Sequence, residues 1–401
     1  MRHLSLFLLV GLTGCLAPWQ LVLPPEERTT TPAVGANQFA LDLYAKLATT
    51  EGNLFCSPSC IREALAMAHT GARGETASEM AGVLHLPNDP MLARREVTSL
   101  RPNVGLFSGV TLRQAASVWG QRGVGIQRSF LGFLNEGYAA SVYETDFTAG
   151  DSARRTINAW VERQTANHIR DLFPPGSLDA DTRLALASAI YFKGDWVHPF
   201  KKERTDVDTF HVSRTQTERV SLMNQTEEFS YTEGEGCQVL QMPYVGKEIA
   251  LLAVLPREVD GLPALEKSLT AEKLATWTTS LVRRKVHVTF PRFEMTRGYN
   301  LVETLRTLGM PKAFGPEADF SSINGGKEPL CITTVIHQAR IELNELGTEA
   351  TAGTGFGINR YTAAPTPRAV IPVFRADHPF VFAIRDLRTG LILFLGRYAR
   401  E

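Results

Sequence analysis

The stretch NELGTEATAGTGFGINRY, residues 344–361, decides how this chain is read. A strand-like run, RIEL (340–343), precedes it, and another, AVIPVF (369–374), follows. Between them the residues are small, dotted with glycine and nearly free of large apolar groups. Strands that turn back on each other need roughly two to five residues, so this is no turn. A long connection in a compact domain is usually a functional loop or a linker.

The chain has 401 residues, 44% hydrophobic and 21% charged, as in soluble globular proteins with a sizeable core. Its formal net charge is zero, so no general pull toward nucleic acid or anionic membrane is expected. At the N-terminus, MRHLSLFLLVGLTGC has one early arginine and then an apolar run from Leu4 to Leu12. The run is too short to span a bilayer and has the form of a secretory signal. Its end, Leu12-Thr13-Gly14-Cys15, is similar to the bacterial lipoprotein box. That resemblance implies loss of residues 1–14 and lipidation of Cys15, which anchors a protein without making it span. Leu16 is compatible with outer-membrane sorting, so an exported protein at a membrane, in the periplasm, at the cell surface or secreted is expected. Residues 15–35, rich in Pro and Thr, read as a tether, and residues 36–401 as a single domain. Cys56, Cys60, Cys237 and Cys331 match no zinc spacing; two disulfides are open to an exported protein, and buried free thiols are the default reading.

Helical patterning comes first along the chain. Residues 37–49 carry apolar side chains at Phe39, Leu43, Tyr44 and Leu47. Ser57-Pro58 opens a second helix, with Ser57 as cap and Pro58 in its first turn, and Gly71 stops it. Residues 156–169 form another amphipathic stretch. Strand signals dominate later. LALASAIYF (184–192) and IALLAVLP (249–256) are continuous apolar runs, as in strands covered on both faces. KVHVTF (285–290) alternates, and FVFAI (380–384) with LILFLG (391–396) reads as a hairpin. Helices early and strands late predict an α+β fold.

Catalytic patterns are lacking. There is no zinc-protease helix motif, no nucleophile elbow and no phosphate loop. Gly353-x-Gly355-x-Gly357 is followed by no helix whose N-terminus could hold a phosphate. The nine histidines are dispersed, and His337, in VIHQA, reads as a core histidine. No enzyme, metal or cofactor is therefore expected.

Five segments together resemble the serpin family: NLFCSPSCIREALAMAHTGARGETASEM (53–80), INAWVERQTANHIRDLFPPGSLDADTRLALASAIYFKGDW (157–196), LQMPYVGKEIALLAVLP (240–256), GTEATAGT (347–354) and FRADHPFVFAIRD (374–386). The resemblance covers residues 36–398 and implies three β-sheets, about nine helices and an exposed reactive loop. It also implies what the opening stretch does. A target protease attacks the loop as substrate, the cut loop inserts as a strand into the main sheet, and the acylated protease is trapped. In family register the hinge comprises Glu345, Gly347, Thr348, Glu349, Ala350, Ala352 and Thr354, with Thr348, Ala350, Ala352, Thr354 and Phe356 turned inward. Four of these five are small, so insertion needs little repacking. The outward glycines cost entropy on ordering.

Other positions carry over singly. Trp196 resembles the tryptophan near the top of the main sheet, and Glu345 would pair with Arg292 across the opening. Ser57 and His337 match polar residues beneath the sheet centre, where strands must part. Cys60 and Ser188 depart from the serine and asparagine usual there, and Leu346 from a polar residue. Family spacing places the bait bond at Tyr361-Thr362, with Arg360-Tyr361 as alternative and Arg368 as a third bait in a loop lengthened at AAPTPRAV (363–370). Tyr361 implies a chymotrypsin-like or cathepsin-like target and Arg360 a trypsin-like one, so the expected partner is a serine protease, with cysteine proteases as a second class. A monomer that binds no nucleic acid and meets the membrane only through its anchor completes the expectation. The alternative is a non-inhibitory, binding or chaperone-like serpin.

Overall fold

A computed structural model describes residues 33–102, 109–138, 141–346 and 370–399. Ten α-helices lie among them: α1 (Ala33–Leu47), α2 (Pro58–His69), α3 (Gly74–Leu84), α4 (Pro90–Ser99), α5 (Arg128–Tyr138), α6 (Gly150–Gln164), α7 (Leu262–Lys267), α8 (Ala271–Thr279), α9 (Val302–Leu308) and α10 (Ser321–Asn324). The strands are β1 (Leu54–Cys56), β2 (Val110–Gln121), β3 (Ser141–Thr145), β4 (Leu184–Gly194), β5 (Thr205–His211), β6 (Thr217–Gly234), β7 (Cys237–Pro243), β8 (Ile249–Pro256), β9 (Val282–Pro291), β10 (Phe293–Asn300), β11 (Ile332–Leu343), β12 (Val373–Arg375), β13 (Phe380–Asp386) and β14 (Ile392–Tyr398). The α+β class holds.

Hydrogen bonds join these strands into two sheets where three were implied. The five-stranded sheet runs β10-β11-β4-β2-β3. The nine-stranded sheet runs β1-β14-β13-β8-β7-β6-β9-β12, with β5 also on β6. The reason is the 18-residue β6. It pairs β5 at its start, β9 along its middle and β7 at its end, and so fuses what would otherwise be two sheets.

Local chemistry explains the elements nearest the site. Ser57 caps α2 by accepting from the Cys60 N–H, and Pro58 sits in the first turn, where its missing donor costs nothing. Helix α2 is buried on almost every side, as expected of a helix run through a core. Strand β4 is buried along nearly its whole length because both faces are covered. Ala185, Ala187 and Ala189 pack with Ile157, Trp160 and Val161 of α6 on one face. Leu186, Ile190 and Phe192 join the main core on the other.

Several expected boundaries move. The first helix begins at Ala33, inside the expected tether, because Ala33 and Ala36 are buried. The helix expected over 156–169 is α6, which ends at Gln164. The strand expected over 369–374 is described only as Val373–Arg375, since Pro372 offers no donor. Cys56, Cys60 and Cys237 are buried free thiols, whereas the free Cys331 is partly exposed.

Candidate functional site

The five-stranded sheet contains a seam. Strands β11 and β4 are parallel neighbours, while β11 is antiparallel to β10 and β4 is antiparallel to β2. In register, His337 lies opposite Ser188 and Arg340 opposite Tyr191. The stretch quoted first leaves β11 at Leu343, so it begins at the upper end of this seam.

A polar cluster sits at the middle of the seam, on the side facing α2. The Ser57 N–H donates to His337 Nε2 at 3.0 Å. Nε2 is therefore unprotonated, and the proton is on Nδ1. That Nδ1 lies 3.1 Å from the Ser188 carbonyl oxygen and 2.9 Å from Ser188 Oγ. Ser188 Oγ donates to Cys60 Sγ at 3.2 Å. Ser57 Oγ donates to the Leu393 carbonyl at 2.7 Å. Ser57, Cys60, Ser188 and His337 are all fully buried. Burial pushes the His337 imidazole down to about 3, so it is neutral. Burial raises the Cys60 thiol well above its ordinary value, with its hydrogen bond from Ser188 opposing the shift. The four residues singled out from sequence thus form one neutral network tying α2, β4, β11 and β14 together.

The upper end of the seam is tied down separately. The Trp196 indole N–H donates to the Asn344 carbonyl at 2.9 Å, and its backbone N–H to the Leu346 carbonyl at 3.2 Å. The Phe200 N–H donates to the Glu345 carbonyl at 2.7 Å. Trp196 stacks on Tyr244 with centroids 4.4 Å apart. Gly194 makes room for this, since a Cβ there would sit 2.6 Å from the Tyr244 ring. The Glu345 side chain is 4% exposed; it accepts from Thr205 Oγ1 at 2.9 Å and lies 3.6 Å from Arg292 Nη1. Arg292 itself is more than half exposed, so Thr205 supplies the closer bond and Arg292 the charge. Past the loop, β12 runs parallel to β9, and Arg375 pairs with Asp208 and Asp377 at 2.6 Å each.

Glu345, Arg292 and Trp196 are therefore gathered at one end of the seam, and Ser57, Cys60, Ser188 and His337 at its middle. The hinge residues Gly347, Thr348, Glu349, Ala350, Ala352 and Thr354, the bait candidates Arg360, Tyr361, Thr362 and Arg368, and Cys15 lie outside the described residues. Sequence reasoning missed Thr205, which belongs to no motif. Tyr244 lies within the motif LQMPYVGKEIALLAVLP (240–256), but nothing in that motif signals that it supports Trp196.

A family model described as serpin (serine protease inhibitor) matches residues 34–400. An uncharacterised serpin-like protein of Thermococcus kodakarensis is 39% identical over 378 residues, spanning 93% of this chain and 86% of its own. The leukocyte elastase inhibitor of Bos taurus is 37% identical over 372 residues, spanning 90% and 97%. Among solved structures, uncleaved ovalbumin superposes with a TM-score of 0.82 at 30% identity, covering 92% of this chain and all of the other. Serpin48 of the insect Tenebrio molitor gives 0.82 at 30% identity, covering 92% and 98%. A match over nearly the whole length, and a fold shared with solved serpins, mean that this chain belongs to the serpin family of protease inhibitors.

Proposed function

We propose that this chain inhibits serine endopeptidases as a suicide substrate and is not itself an enzyme. The observation that carries the reading is the parallel β4–β11 seam, with the long, small-residue loop leaving β11 at its end. A strand that turned back after Leu343 and entered the seam would be antiparallel to both neighbours. One parallel pairing would be exchanged for two antiparallel ones, each slightly more stable per residue, and the gain would drive insertion. The chemistry before it is ordinary acyl transfer. The protease serine Oγ attacks the Tyr361 carbonyl carbon, the bond to the Thr362 nitrogen breaks, and the new amine leaves with the proton. The acyl ester to Tyr361 then travels with the inserting loop. A loop carrying both Tyr361 and Arg360 suits chymotrypsin-like and trypsin-like targets, with cysteine proteases as a second class. The N-terminal signal and Cys15 point to an exported, lipid-anchored protein, which the mass of the mature N-terminus checks.

The test mixes the purified domain separately with trypsin and chymotrypsin. A high-mass complex that survives a denaturing gel is expected, with a small released fragment beginning at Thr362. A fragment beginning at Tyr361 moves the bait to Arg360. Cleavage with no complex, and no rise in melting temperature afterwards, overturns the reading in favour of a non-inhibitory serpin.

A further inference from the structure

We propose that the segment following α6 is a pH-sensitive latch across the β4–β11 seam, with His168 as the positioning residue that sets how readily the strands part. The proposal rests on the insertion reading above. It comes from the sheet face opposite the Ser57–His337 network. There the His168 imidazole lies flat on the Tyr191 ring, with centroids 3.7 Å apart and planes within 3°. Tyr191 belongs to β4. The His168 carbonyl accepts from Arg340 Nη1 at 3.2 Å, and Arg340 belongs to β11. Tyr191 and Arg340 are direct partners across the seam, with the Arg340 guanidinium 5.9 Å from the Tyr191 ring centroid. One residue outside the sheet therefore grips both strands. A strand entering at this level must displace His168.

The segment is built to hold that residue in place. The His168 N–H donates to the Thr165 carbonyl at 3.0 Å, and the Asn167 N–H to the Glu162 carbonyl at 2.7 Å. Ala166 and Asn167 both have positive φ, a conformation that asparagine tolerates but that alanine holds only when its surroundings enforce it. Beyond His168, Ile169 and Phe173 are buried, and Asn158 of α6 brackets Phe173 through both its amide and its carbonyl. The latch is therefore fixed to α6 on one side and to the core on the other.

The charges around the ring make the grip sensitive to protonation. Arg340 and Glu342 face it from β11, Lys193 from β4 and Arg113 from β2. Glu342 is already engaged by Arg340 and Lys193, and Glu294 of β10 also pairs with Arg340. A protonated imidazole here would join three cations against carboxylates that are already taken. Burial first, and Arg340 next, hold His168 below its ordinary value. Once the strands part, the freed ring titrates near its ordinary value of about 6.5. The open form then binds a proton that the closed form refuses, so parting becomes easier as pH falls below about 6.5.

The test uses the full chain and a synthetic acetylated peptide with the sequence of residues 347–357. Annealing of the peptide is followed on native gels at about pH 7.5 and about pH 5.5, either side of the ordinary histidine value. Amide exchange along β4 and β11 is measured in parallel. His168→Phe keeps a ring on Tyr191 but cannot titrate; His168→Ala removes the ring. Wild-type annealing is expected to accelerate several-fold, up to about tenfold, at the lower pH. His168→Phe should stay slow at both values and His168→Ala fast at both. Equal acceleration in wild type and His168→Phe overturns His168 as the sensor. A His168→Ala variant no faster than wild type at the higher pH overturns the latch. If no peptide anneals anywhere but exchange follows the expected pattern, the latch stands and the insertion reading fails. Flat exchange in all three proteins overturns the latch.

Discussion

The two faces of one seam are held by opposite means. On the α2 side, Ser57, Cys60, Ser188 and His337 are fully buried and bonded without any formal charge. On the α6 side, Arg340, Glu294, Glu342 and Lys193 are charged and partly exposed, and His168 joins Arg340 of β11 to Tyr191 of β4. His337 and Arg340 are three residues apart on β11, an odd step that turns side chains to opposite faces. The inner network is strong because its groups have no water to turn to once the strands part. The outer one can exchange each contact for solvent at little cost. The contrast assigns the depth of the closed state to the inner face and the ease of leaving it to the outer face.

The largest effect expected follows from removing the centre of the inner network. His337→Ala leaves the Ser57 N–H without an acceptor and removes the imidazole partner of the Ser188 carbonyl and hydroxyl, all fully buried. Each orphaned group costs about 1–3 kcal/mol, and the vacated ring volume adds to that. A loss of about 3 kcal/mol or more in urea unfolding is expected. A loss below about 1 kcal/mol would mean the network is no stronger than the surface charges.

A smaller and graded effect comes with pH. The His337 imidazole is held down to about 3 in the folded protein and returns to about 6.5 when unfolded. Between those values the unfolded chain takes up a proton that the folded one refuses. Stability should therefore fall as pH falls, by up to about 1.4 kcal/mol per pH unit, starting near pH 6.5. Above about pH 5 most carboxylates are still ionised, so the window from about 6.5 to about 5 isolates histidines. His69, also buried and lowered, contributes to the same slope. The informative quantity is therefore the difference between wild type and His337→Gln, measured as the slope of unfolding free energy against pH. The variant should be shallower by about one proton's worth; equal slopes would show that His337 already titrates normally in the folded state.

The inner network was nameable from sequence only through resemblance. Its members lie at 57, 60, 188 and 337, and nothing local at any of them signals a shared site. What local pattern did show was burial. The apolar run 249–256 is β8 to the residue, since a strand covered on both faces needs every side chain apolar. The same signal misled at 156–169, where Ile169 continues a helical period although α6 has ended. Ile169 is buried against the sheet from an irregular segment, and apolar spacing does not distinguish a helix from a loop pressed onto the same surface. That is also why His168 went unread. Its contacts depend on the left-handed turn at Ala166 and Asn167; asparagine tolerates that conformation but alanine does not signal it, and neither tells what the turned segment will touch.

The smallest equilibrium effect, and the sharpest separation of the two faces, is expected from Arg340→Met. The replacement keeps an apolar stem against Tyr191 and removes the bonds to His168, Glu294 and Glu342. Glu294 is exposed and Glu342 partly so, and both are free to take water. Unfolding free energy should change by less than about 1 kcal/mol. Amide exchange at β4 and β11 should nevertheless quicken, because the link from the His168 carbonyl to β11 is gone. His337→Ala, by contrast, should lower stability and quicken exchange together. If Arg340→Met cost as much stability as His337→Ala, the exposed charges would be carrying equilibrium energy after all, and the division between depth and ease would fail.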